Sequence, residues 1–161
     1  MRVRLGAKAA RCQNDLMSNV EIRHATPLDA AIIGTVLAKA YARWQERLDD
    51  LPDVTGGIHD EIEAGRAWVA LMDGKVVGCL MGGMHEDSWH LANVAVHPDT
   101  GGKGVGRRLI NHAESLARGL GIGEMVLATH KDLPENIALY EHLGWKVTNT
   151  EGARVMMTLK L

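Results

Sequence analysis

Four glycines in six positions, Gly101, Gly102, Gly104 and Gly106, stand out in this chain of 161 residues, with Lys103 among them and Arg107 and Arg108 just after. They follow the apolar run HLANVAVHPD and lead directly into VGRRLI, so a strand ends, a glycine loop intervenes and a helix begins. The first N–H groups of such a helix lack partners and point out of its positive end. Absent Cβ atoms let an anion touch the backbone, and the flanking cations add attraction. The chemistry implied is binding of a phosphate or pyrophosphate.

Two familiar phosphate loops do not fit. A Walker loop, GxxxxGK[ST], would need Gly at His97 and Ser or Thr at Gly104; a dinucleotide fingerprint, GxGxxG, would need Gly at Arg107. Metal chemistry is also disfavoured. His85-Glu86 opens a run like HExxH, but Trp89 stands at the second His, and the eight histidines are spread without paired spacing. Cys12 and Cys79 form no CxxC, and Cys79 sits in VVGCLMGGM, which reads as a buried thiol in a reducing compartment.

The stretch Val96-His97-Pro98 followed by GGKGVG resembles the GNAT superfamily of N-acetyltransferases. There, an apolar-Val-x-Pro strand end precedes Arg/Gln-x-x-Gly-x-Gly/Ala. Gly104 and Gly106 match the two glycines, while Gly101 stands where Arg or Gln is usual, with Lys103 and Arg107 supplying nearby charge. The resemblance runs in element order from about Val20 to the C-terminus and is sharpest over residues 91–110. It implies acetyl-CoA as co-substrate. The pyrophosphate would lie on Gly101, Gly102, Lys103, Gly104, Val105, Gly106 and Arg107, and the pantetheine arm along the backbone of Asn93 to Val96, with Val94, Ala95 and Val96 at its centre.

The same resemblance extends to Asn136-Ile-Ala-Leu-Tyr140-Glu-His-Leu-Gly144-Trp145, like the pattern A-x-x-L-Y-x-x-x-Gly-aromatic. It implies Tyr140 as the acid that protonates the departing thiolate. The family's Asn position falls on Leu133, so Asn136, one turn before Tyr140, is the substitute. Amine attack also needs a base. His90, which by strict alternation would share a strand face with Ala92, Val94 and Val96, is one candidate, because an ordinary imidazole titrates near neutrality. Glu86 is another, and a water chain a third. In this fold the first two helices and the turn before His90 would shape the acceptor pocket, which selects Tyr41, Trp44, Asp49, Asp50, Asp53, Glu86 and Asp87.

The elements that must hold these residues are legible. Val20–His24 reads as a strand. Thr26-Pro27-Leu28-Asp29 then opens a helix through AAIIGTVLAKAYARW, and 58–64 a second, short one. Residues 66–72 and 75–84 form a hairpin around Asp73-Gly74, a pair suited to a two-residue turn. A strand over 89–97 and a helix over 105–120, with Leu109, Ile110, Ala113, Leu116, Ala117 and Leu120 on one face, bracket the glycine loop. A strand at 124–129, a helix at 134–143 and a hairpin of 145–150 with 154–159 complete the order. The expected architecture is α/β: one mixed, mostly antiparallel sheet of six to seven strands flanked by about four helices.

Composition sets the outer bounds. With 46% apolar and 24% charged residues the chain reads as globular, and a net charge of −2 without blocks of like charge argues against nucleic acid as a partner. No apolar run approaches the ~20 residues of a membrane span. There is no Phe, so Trp, Tyr and eight Met must fill the large core positions. Residues 1–17, carrying Arg2, Arg4, Lys8 and Arg11, read as a disordered arm or an upstream start in place of Met17, with a single domain over 18–161. The reading is a cytoplasmic N-acetyltransferase acting on a small-molecule or peptide amine by direct attack in a ternary complex, with a homodimer left open. The rivals are a non-catalytic acyl-CoA sensor on the same fold and a phosphate-loop nucleotide binder.

Overall fold

A computed structural model describes residues 19–161. The N-terminal arm expected at 1–17 lies outside the described residues, as does Cys12. The elements are β1 (Val20–His24), a 3-10 turn (Pro27–Asp29), α1 (Ala30–Gln45), α2 (Ile58–Glu63), β2 (Ala67–Met72), β3 (Lys75–His85) and β4 (Ser88–Val96). After a second 3-10 turn (Pro98–Thr100) come α3 (Val105–Gly119), β5 (Glu124–His130), α4 (Pro134–His142), β6 (Lys146–Glu151) and β7 (Arg154–Lys160).

The seven strands form one sheet in the order β1-β2-β3-β4-β5-β7-β6. Only β4 and β5 are parallel, as a strand–helix–strand crossover through α3 requires. The Asp73-Gly74 turn between β2 and β3 has positive φ at both residues (52° and 77°), the conformation that pair suits. At the start of α1, Asp29 folds back to accept from the Thr26 N–H at 2.7 Å. It also pairs with the Arg23 guanidinium at 2.8 Å, which fastens β1 to the helix start.

Two apolar clusters cover the two faces of the sheet. On one, Val105, Leu109, Ala113 and Ala117 of α3 pack on Leu80, Trp89, Leu91 and Met125, with α4 joining through Ile137 and Tyr140. On the other, Ile33, Val36 and Leu37 of α1 and Ile58 and Ile62 of α2 pack on Val69, Cys79, Met81 and Ala95. Trp89 and Trp145 are among the largest fully buried side chains, so Trp does fill core positions in a chain without Phe. Cys79 is fully buried, and burial pushes its thiol up to about 12.

The feature that makes the site is an irregularity in β4. Met81 of β3 pairs with Asn93, but the next residue, Gly82, pairs with Leu91, so Ala92 is an extra residue on β4. This bulge reverses the strand's parity. Before it, Trp89 and Leu91 face α3; after it, Val94 and Val96 take that side and Ala95 turns to α1. His90 therefore does not share a face with Val94 and Val96, as unbroken alternation would have it. It lies on the α1 side, with Asn93 and Ala95.

Candidate active site

β4 and β5 are in register for three pairs only, Trp89↔Met125, His90↔Val126 and Leu91↔Leu127. Past the bulge they diverge and leave a cleft of about 440 Å³ through the sheet. Its α3-side wall carries Val94, Asn136 and Tyr140. Its α1-side wall carries Tyr41, Asp50, Asn93, His130 and Arg154. A ligand from one face of the sheet can thus meet a ligand from the other inside it.

The glycine loop lies beyond the C-terminal end of β4. His97 still donates its N–H to the Val77 carbonyl at 2.8 Å and accepts the Asp99 N–H on its Nδ1 at 3.1 Å, and Pro98 starts a single 3-10 turn. Gly102 and Gly104 adopt φ of +78° and +76°, where a Cβ would be strained, and the space around both is open. Gly104 caps α3. The first bond of that helix runs from the Arg108 N–H to the Gly104 carbonyl at 3.1 Å, so the N–H groups of residues 104–107 have no partner inside it. Lys103 and Arg107 are exposed beside them, while Val105 is buried and anchors the helix start. Gly101 is extended, with φ −60° and ψ 148°, and marks the end of the 3-10 turn. The loop therefore offers unpaired amides, no side-chain obstruction and positive charge, which fits a pyrophosphate.

Tyr140 reaches the cleft from α4, with Asn136 one turn before it. Its ring packs edge-on to Trp145 at 5.8 Å between centroids, and burial pushes the phenol up to about 12. Leu133, at the other candidate Asn position, is buried at the helix start and lines the same cleft. Opposite, the Tyr41 hydroxyl donates to Asn93 Oδ1 at 2.7 Å, fixing α1 to the diverging part of β4, and burial raises its phenol further still.

The other acceptor-side candidates separate. Asp50 is in the cleft wall. Trp44 is buried in the α1 packing with the Arg43 guanidinium 4.7 Å over its ring, and is not part of the wall. Asp49 does not reach it either. Asp53 turns back to accept from the Thr55 N–H and hydroxyl at 2.9 and 2.7 Å. Glu86 and Asp87 form the β3–β4 turn, Glu86 with φ of 53°, and both are exposed outside the cleft. His90 stacks on His85 at 5.0 Å, below the point of divergence. Burial, with the charges of His85 and Arg154 adding to it, lowers its pKa from the usual imidazole value, so the ring is neutral at pH 7.

Two cleft residues escape a reading of local sequence, His130 and Arg154. His130 Nδ1 accepts the Asp132 N–H at 3.1 Å, which leaves the proton on Nε2, donated to Asp50 Oδ1 at 2.9 Å. That hydrogen bond holds the Asp50 carboxyl below the usual carboxylate range. Arg47 adds a second tie, to Glu135 Oε1 at 2.7 Å and to the Asp132 carbonyl at 3.0 Å. The segment after α1 is thereby fastened to the β5–α4 connection as one wall of the cleft.

Comparison with known proteins agrees with this geometry. A family model described as Acetyltransferase (GNAT) family matches residues 29–145. An uncharacterized N-acetyltransferase, YjgM, of Escherichia coli K12 is 32% identical over 136 residues, covering 81% of this chain and 78% of its own. The crystal structure of PaiA N-acetyltransferase from Thermoplasma acidophilum in complex with coenzyme A superposes with a TM-score of 0.78 at 19% identity, over 88% of this chain and 99% of that one. The ribosomal-protein-S18-alanine N-acetyltransferase from Escherichia coli superposes with a TM-score of 0.68 at 20% identity, over 88% and 93%. The matched span holds the glycine loop, the diverging strands and Tyr140 together, and by that match the chain belongs to the GNAT family of acetyltransferases.

Proposed function

We propose that this protein transfers the acetyl group of acetyl-CoA to a primary amine by direct attack within a ternary complex. The observation that carries the reading is the cleft itself, lined by residues from both faces of the sheet, with the glycine loop beyond one end and Tyr140 in its wall. Acetyl-CoA supplies an activated thioester. The α3 N-terminus and the residues from Gly101 to Arg107 hold its pyrophosphate, and the β4 edge from Asn93 to Val96, unpaired on the β5 side, receives its amide-bearing arm. Asn136 lines the same side.

Tyr140 acts as general acid. When the amine nitrogen bonds to the acetyl carbon and the carbon–sulfur bond breaks, the sulfur leaves as a thiolate and takes the phenolic proton. A phenol held near 12 is fully protonated at pH 7, so the proton is available when needed. The ammonium formed by the amine must lose a proton on the other face. His90, neutral and on the α1 side, accepts it through water, since its ring stands outside the cleft wall. Glu86 is ill placed for this work, being spent in an exposed turn.

The test is titration of the full chain with acetyl-CoA, CoA and ATP in parallel, followed by thiol release over a panel of amines. Saturable binding of acetyl-CoA and not of ATP, with amine-dependent thiol release, is the expected result. Tyr140→Phe then lowers kcat about 10²-fold with little change in acetyl-CoA affinity. Binding without turnover on any amine would instead favour a non-catalytic acyl-CoA sensor.

A further inference from the structure

On the α1 side, the mouth of the cleft holds three groups able to recognise charge: Asp50, His130 and Arg154. Asp50 and His130 are committed to each other, and the second His130 nitrogen is taken by the Asp132 amide. Arg154 is different. It starts β7, directly opposite His130 in the β5–β7 ladder and opposite Glu151 in the β6–β7 ladder. Residues so opposed present their side chains on one face, so the guanidinium stands on the acceptor face beside the Asp50–His130 pair. Among the described residues it makes no ion pair, with Glu151 or any other carboxylate. His130 stands between this cation and Asp50, and the apolar residues Leu51, Pro52, Val54 and Ala153 line the same cleft.

A cleft whose α1-side wall carries a carboxylate and an uncommitted guanidinium, in a space also lined by apolar residues, is matched to a small zwitterion. We propose that the amine acceptor is a free amino acid with a small or branched aliphatic side chain, whose carboxylate is bound by Arg154. A guanidinium presents a planar fork of N–H donors that fits a carboxylate with two parallel bonds, a geometry no ammonium reproduces. Asp50, its orientation fixed by His130, draws the ammonium end inward. Arg154 and Asp50 are both exposed at the mouth, where solvent screens the pairing, so the discrimination against an analogue lacking the carboxylate is on the order of tenfold.

This inference rests on the acetyltransferase reading above, and the experiment separates the two. Thiol release from acetyl-CoA is followed with alanine, valine and leucine, each compared with its primary amide and its decarboxylated amine, and rates are expressed per unprotonated amine. The expected result is a kcat/KM about tenfold higher for the amino acids, through KM. Arg154→Gln brings that ratio close to one, and Arg154→Lys keeps part of it. Turnover with a ratio near one in the wild type, or a preference that survives in Arg154→Gln, overturns the zwitterion assignment and leaves the transferase reading standing. Absence of thiol release with every amine, charged or not, overturns both.

Discussion

Single residues in this protein are tuned by what surrounds them. His90 and Tyr140 lie on opposite sides of the sheet, and burial acts on both, lowering the one and raising the other, so that one arrives unprotonated and the other protonated at pH 7. The pairing has a kinetic signature. His90→Gln should lower kcat by about 10²-fold near pH 6.5 and by much less near pH 9, where the amine sheds its own proton. Equal kinetics for variant and wild type across that range would exclude His90 as the base. Asp29 offers a stability counterpart. Its bonds to Arg23, then to Thr26, hold its carboxyl at about 2, below the ordinary value for aspartate. A depressed carboxyl contributes in full above pH ~4 and loses its contribution as the pH falls toward 2, because the unfolded chain takes up the proton first. Asp29→Asn should therefore cost about 2 kcal/mol at pH 7, and the two unfolding curves should converge in acid. His130 and Arg154 were out of reach of sequence reading because their roles arise by pairing across distance. Asp50 meets His130 from 80 positions away, and Arg154 meets it across a ladder.

At the level of elements, local periodicity and turn chemistry were enough to outline seven strands and four helices. The Asp73-Gly74 hairpin, the amphipathic stripe of α3 and the glycine loop each follow from residues adjacent in sequence. The bulge at Ala92 does not. HLANVAV reads as one uninterrupted apolar strand, and the extra residue shows only when Met81 and Gly82 are matched to their partners. Gly82 is the local device that permits it. A Cβ there would fall 2.5 Å from the His90 carbonyl oxygen and strike the Trp89 ring, so the backbones approach too closely for a side chain. Gly82→Ala should cost about 3 kcal/mol by forcing β3 and β4 apart, measured as a lower urea midpoint. It should also raise the KM for acetyl-CoA, because the strand proposed to receive its arm is displaced. Intact stability in that variant would mean the bulge tolerates a wider spacing than the geometry suggests.

Across the whole molecule, the ligand and the fold support one another. Acetyl-CoA binds the folded chain alone, so at a hundred times its dissociation constant it should add about 2.7 kcal/mol to stability. For a chain of this size that is a rise in Tm of roughly 5–10 °C, readable by thermal shift, with ATP as the comparison. No described helix is long and apolar enough to cross a membrane. What remains is the shortness of the β4–β5 register. Three residue pairs join a four-strand half to a three-strand half, and beyond them the backbone groups of two neighbouring strands face an opening instead of each other. Most proteins keep such unfinished seams at their periphery, where charge or a covering loop guards them. This one keeps a seam in its middle, and under the proposed function its co-substrate, which carries amide groups of its own, is the piece that closes it. The sheet is then complete only while the co-substrate is held, and its release leaves the two halves joined by three residue pairs.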